Sequence, residues 1–213
     1  MKRALIVLSL LLLPSCKKGL GSGFEGEITL QSTRAGATQE MLVKAKKDKL
    51  RFETNAGGQA SSAIFDPAQN KVFMVMDAQK SYMEVDFSAP SAPQANVDAK
   101  AASAEKTGTK ETIAGIDCED WSVKDPSGKH TEVCLADGLA FFDLDGVKGG
   151  SSGSSFSKQL REKKQFPLKS VDYDASGKET NRTEATKIEK KKLDDSMFQV
   201  PSGYTKLTLP GMK

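Results

Sequence analysis

Between residues 24 and 87, apolar and polar residues alternate in short runs, and turn chemistry separates one run from the next. A repeat of two sends successive side chains to opposite faces of an extended strand, which a helix cannot do. Phe24-Glu25-Gly26-Glu27-Ile28-Thr29-Leu30 is the first such run. Met41 to Lys46 and Leu50 to Asn55 flank Lys47-Asp48-Lys49, and Ala60 to Asp66 and Lys71 to Met76 flank Pro67-Ala68-Gln69-Asn70. From Ser81 to Phe87, Met83, Val85 and Phe87 fall on one side, with Tyr82, Glu84 and Asp86 on the other. Val72-Phe73-Met74-Val75-Met76 is apolar on both sides, which predicts a central strand covered on each face. Six strands with short connections predict an antiparallel meander. No fixed-period repeat or heptad is present.

Composition changes after the sixth run. Residues 88–106 are rich in Ala, Pro, Ser and Lys, and read as an exposed, mobile excursion, helical in part after Asn96. Two strand-like segments then flank Asp125-Pro126-Ser127-Gly128, whose Pro and Gly suit a turn, and they carry Cys118 and Cys134. The turn brings the two cysteines nearly opposite one another. A disulfide there would close a loop and contribute about 3 kcal/mol, chiefly by restricting the unfolded chain. A redox pair would favour CxxC spacing, which is absent. Beyond Asp137-Gly138-Leu139-Ala140-Phe141-Phe142 lies a Gly/Ser loop at 149–157, and Phe156 and Leu160 suit one short amphipathic helix. Phe166 to Asp174 and Lys178 to Lys190 predict a last hairpin about Ala175-Ser176-Gly177, and a turn at Asp194-Asp195-Ser196 leads into the C-terminal segment.

The N-terminus carries a different signal. Lys2 and Arg3 precede the apolar stretch Ala4 to Leu13, the length of a secretory h-region and too short to span a bilayer. Leu13-Pro14-Ser15-Cys16 resembles a bacterial lipobox, which predicts a leader at 1–15, an acylated Cys16 and a flexible tether at 16–23. An ordinary secretory leader with a free Cys16 is the alternative. Of 31 basic residues Lys2 and Arg3 leave with the leader, so the mature chain sets 29 against 28 acidic ones, a net of +1. That balance provides no field for nucleic acid. Export also places Cys118 and Cys134 where disulfides persist.

Motifs for chemistry are sparse. His130 is the one histidine and flanks a turn, a poor setting for a buried general base. One histidine beside a bridged cysteine pair makes no zinc site. Asp143-Leu144-Asp145-Gly146 fails as a calcium loop, because that register puts Phe141 and Ser152 at its first and last ligand positions. Gly149 to Ser155 lacks the Gly-Lys-Ser/Thr ending of a phosphate loop. Asn181-Arg182-Thr183 fits a glycosylation sequon, and Lys187 to Lys192 reads as a solvated strand end. No cofactor or metal is implied. What remains is apolar: Met41, Met74, Met76 and Met83 on neighbouring runs, with Phe52, Phe141 and Phe142 in reach of one interior. Methionine is flexible and polarizable, so this set suits a hydrophobic ligand. A plain core is the competing reading of the same residues.

Several segments together resemble one uncharacterised bacterial family: Gly23-Phe24-Glu25-Gly26, Asp48-Lys49-Leu50-Arg51-Phe52, Ile113-Ala114-Gly115-Ile116-Asp117-Cys118 and Met197-Phe198-Gln199-Val200-Pro201-Ser202-Gly203-Tyr204. That family, a domain of unknown function, is similar to LolA and LppX/LprG-like envelope lipoproteins. The resemblance implies a mainly β fold over residues 24–209, a curved antiparallel sheet forming a half-open barrel with helices or loops packed in its concave side. It also implies a non-enzymatic lipoprotein of the bacterial envelope that holds a lipid or other hydrophobic ligand. Lys17, where some inner-membrane lipoproteins have aspartate, leans toward the outer membrane. A structural or protein-interaction lipoprotein without a small ligand is the second expectation.

Overall fold

The computed structural model describes residues 23–86, 103–124, 128–138 and 165–208. The leader, the tether with Cys16, most of the 88–106 excursion, Phe141, Phe142 and the Gly/Ser loop lie outside them. Among the described residues there are twelve strands: β1 (Glu25–Arg34), β2 (Ala37–Lys46), β3 (Lys49–Ala56), β4 (Gln59–Asp66), β5 (Lys71–Met76), β6 (Ser81–Asp86), β7 (Ser103–Ile113), β8 (Ile116–Lys124), β9 (His130–Asp137), β10 (Gln165–Tyr173), β11 (Glu179–Lys190) and β12 (Thr205–Leu207). They form one curved sheet in the order β12-β6-β5-β4-β3-β2-β1-β11-β10-β9-β8-β7, which does not close into a barrel. The expected half-open β fold is therefore present.

Local sequence explains the hairpins. Ala35-Gly36 joins β1 to β2 with both residues at positive φ (49° and 80°), the mirror-image turn whose twist matches the strands. Ala114-Gly115 repeats it between β7 and β8. Pro67–Gln69 and Asp77–Gln79 are single 3-10 turns, each closed by a backbone bond from a left-handed residue, Asn70 to Pro67 and Lys80 to Asp77.

The two meanders, β1–β6 and β7–β11, join where β1 pairs with β11. Gly26 allows that seam: a Cβ there would lie 2.0 Å from the Glu189 carbonyl oxygen. The main core straddles the seam, with Phe24, Ile28, Leu30 and Val43 buried together with Leu168, Ala185 and Cys134.

Three expectations need correction. Ser103 to Lys106 belong to β7, so the excursion ends earlier than its composition suggests; Thr107 and Thr112, like Ile113, favour extended backbone. Cys134 stands opposite Asp120, so the bridge to Cys118 runs diagonally, with Cα atoms 5.4 Å apart. And β5 is covered on both faces but not along its whole length: Val72 is buried in the main core on the face that Met74 shares, and Val75 against Leu193 and Phe198 on the other. Val75 is buried, whereas Met74 is 40% exposed, because just β6 and the short β12 lie beyond it.

Candidate functional site

Register puts the methionines on one face. Val43, Phe52, Ala63, Met74 and Met83 are consecutive cross-strand partners from β2 to β6, and Leu207 on β12 continues the row. The neighbouring row runs Met41, Thr54, Ser61, Met76, Ser81. Along the first row exposure rises from 0% at Val43 to 40% at Met74 and 43% at Leu207. Most cores end against polar side chains. This one runs out to solvent through methionine and leucine, with Met41, Met76 and Met83 half-buried beside the exposed pair. Phe52 is half-buried and packs edge-to-face on Phe65, ring centroids 5.4 Å apart. The five expected residues on described strands thus share one face, although the row forms an open strip and lines neither cleft described below.

The opposite face of β3–β6 is sealed by the chain itself. After β11, residues 191–207 return as a strap, burying Leu193 and Phe198 against Ile64 and Val75, with Val200, Tyr204, Phe73 and Tyr82 around them. Lys46 pairs with Asp195 at 2.8 Å and donates to the Leu193 carbonyl. Arg51 donates to the Met197 carbonyl at 3.1 Å, the Tyr204 hydroxyl donates to Asp77 at 2.8 Å, and Lys206 pairs with Glu84 at 2.6 Å. In the sequence, the segment from Phe198 to Tyr204 carries a family resemblance and no strand signal. Its apolar residues lack the strict alternation of a strand, so their role as a cover had no periodic signal.

Two open clefts have mixed polar and apolar linings. One, of about 1130 Å³, lies at the tips of the β1–β2 and β3–β4 hairpins; the other, of about 590 Å³, is lined by Lys46, Lys49, Asp66 and Asp195 at the opposite end. Asp66 is buried there. Burial pushes its carboxyl up, but hydrogen bonds from Lys49 and Gln69 outweigh this and hold it below the ordinary carboxylate range.

The groups considered for catalysis or metal binding are otherwise engaged. His130 stacks flat on Tyr173, centroids 4.4 Å apart, and the Tyr173 hydroxyl donates to Glu132. Cys118 and Cys134 are bridged. Glu111, Asp120 and Cys134 converge, but the Cys134 sulfur is in the disulfide and the Lys169 ammonium pairs with Glu111, supplying the positive charge itself. Burial raises the Asp120 carboxyl, with neighbouring Glu111 adding to the shift against Lys169.

Residues 24–204 match the family model of a domain of unknown function, DUF4412. The chain belongs to the DUF4412 family. This DUF4412 chain has no match among curated proteins by sequence. Its fold is similar to that of an uncharacterised conserved protein from Thermus thermophilus, with 12% identity, a TM-score of 0.55, and coverage of 90% of this chain and 93% of that one. It is also similar to MucB in the Pseudomonas aeruginosa MucA/MucB complex, with 13% identity and a TM-score of 0.51 over 87% of this chain. The DUF4412 chain spans 58% of that MucB chain. These likenesses are of fold.

Proposed function

We propose that this DUF4412 protein is a non-enzymatic binding module of the bacterial cell envelope, held at a membrane by an acyl chain on Cys16, and that it receives a hydrophobic guest on its methionine face. The observation that carries the reading is the continuous row from buried Val43 to exposed Met74 and Leu207. Apolar surface left in water at the end of a core is an unmet driving force, worth about 25 cal/mol per Å² once covered. Methionines adapt to guests of varied shape. The leader ending on Leu13-Pro14-Ser15-Cys16 supports the anchor, and Lys17 behind it supports the outer membrane. Phe141 and Phe142 are further candidates for the lining.

A second reading has a protein as the guest. MucB, which has a similar fold, has been solved in complex with MucA, and an exposed apolar strip beside a sheet edge also suits a peptide.

The test is to purify the mature chain from residue 17 onward and analyse by mass spectrometry what copurifies, beside a variant carrying Met74→Asp and Met83→Asp. A stoichiometric apolar compound, lost from the folded variant, is the expected result. A wild-type protein that is folded and empty, and that takes up no added fatty acid, would overturn the lipid reading.

A further inference from the structure

From the cleft at the hairpin tips we infer a second binding site, for a neutral, polyhydroxylated ligand: a soluble oligosaccharide. The site goes beyond the hydrophobic-guest reading, since no methionine lines it. Its volume, about 1130 Å³, suits several linked sugar rings.

The lining determines the class. Hydroxyl and carboxamide side chains are the largest group in it, eight of eighteen lining residues, among them Gln39, Asn55, Ser62 and Asn181. Three carboxylates (Glu40, Glu53, Asp77) face two guanidiniums (Arg34, Arg51), which disfavours an anionic ligand. Arg51 is further committed to Glu53 at 2.6 Å and to the Met197 carbonyl, and Asp77 holds the Tyr204 hydroxyl. A peptide lacks a means of docking by strand addition, because β1 to β4 each already have two strand neighbours.

One buried group points to a ligand independently. Ser62 lines the cleft, is only 5% exposed, and its Oγ has no hydrogen-bond partner. A hydroxyl shut away from water without a partner costs stability, so a site that keeps one there gains when a ligand hydroxyl meets it.

The experiment titrates maltotetraose, cellotetraose and chitotetraose into the ¹⁵N-labelled mature chain, with and without Ser62→Ala. At least one sugar should bind with Kd below about 10 mM and shift the amides of Gln39, Asn55 and Ser62. Ser62→Ala should weaken that binding about tenfold, the loss of one hydrogen bond, while the melting temperature stays level or rises. A merely structural Ser62 would instead lower the melting temperature and leave the sugar affinity unchanged, which would overturn the proposal. So would the absence of binding by all three sugars, or binding of a Ser/Asn-rich peptide in their place.

Discussion

The two meanders stiffen the same kind of sheet by different means. On one side of the β1–β11 seam, β3 to β6 are covered by a strap that buries Leu193 and Phe198 and ties itself down with Lys46, Arg51, Tyr204 and Lys206. On the other side, β8 and β9 are cross-linked by the Cys118–Cys134 bridge, with Trp121, Val133 and Leu135 forming a smaller cluster. Burial by a returning segment stabilises through area removed from water and is lost if one anchor goes. A cross-link acts mainly on the unfolded chain and does not depend on any single packed contact.

The contrast breaks first at Phe198. It is 2% exposed and plugs the strap between Ile64 and Val75. Phe198→Ala should cost about 3–5 kcal/mol, seen as a lower urea midpoint. Hydrogen exchange should show β5 and β6 losing protection before β8 and β9 do. Equal loss across all strands would mean that the halves do not differ as described.

The cross-linked half gives the next effect. Replacing both cysteines, Cys118→Ser with Cys134→Ser, should cost about 3 kcal/mol by denaturant melting, the value for a loop of this length. Both cysteines are buried, at 4% and 0% exposure, so the two hydroxyls also enter an apolar site. Loss of protection should begin in β8 and β9 and leave the strap intact.

Much of this architecture is legible in the residues. The edges of β6 follow from alternation, because a half-buried strand records its two environments in its side chains, whereas Lys71–Met76 follows from an unbroken apolar run between turns, and β10 and β11 from the turn about Ala175-Ser176-Gly177. Pro67 to Asn70 marks a corner for the reason that Asn tolerates the left-handed conformation it adopts there. The seam between β1 and β11 is not legible: Gly26 and Glu189 are far apart in sequence, and pairing over such a distance leaves no local pattern. Nor is the strap, whose Leu193, Phe198 and Val200 follow neither a period of two nor one of 3.6. Methionine clustering was readable as a shared face, but the exposure of Met74 depends on how few strands lie beyond β5, a property of the whole sheet order.

Acid sharpens the contrast, with effects of opposite sign at the strap and at β8–β9. The Lys46 bond and charge hold Asp195 below the ordinary carboxylate range, and bonds from Lys206 and then Lys71 do the same for Glu84. A carboxyl lowered by folding stabilises above its unfolded value, and that contribution is lost as pH falls through the lowered one. Asp120 is raised instead, by burial first and then by the Glu111 charge, against the pull of Lys169. A raised carboxyl costs stability at neutral pH, and the cost disappears as pH falls through its raised value. On acidification the amide of Thr205, which donates to the Lys80 carbonyl, should lose protection, while the amides of β8 and β9 hold or gain it. Asp120→Asn should abolish the gain at β8 and β9 and leave the loss at Thr205 unchanged. A parallel decline in both regions, or a gain that survives Asp120→Asn, would show that these carboxyls do not set the difference between the halves.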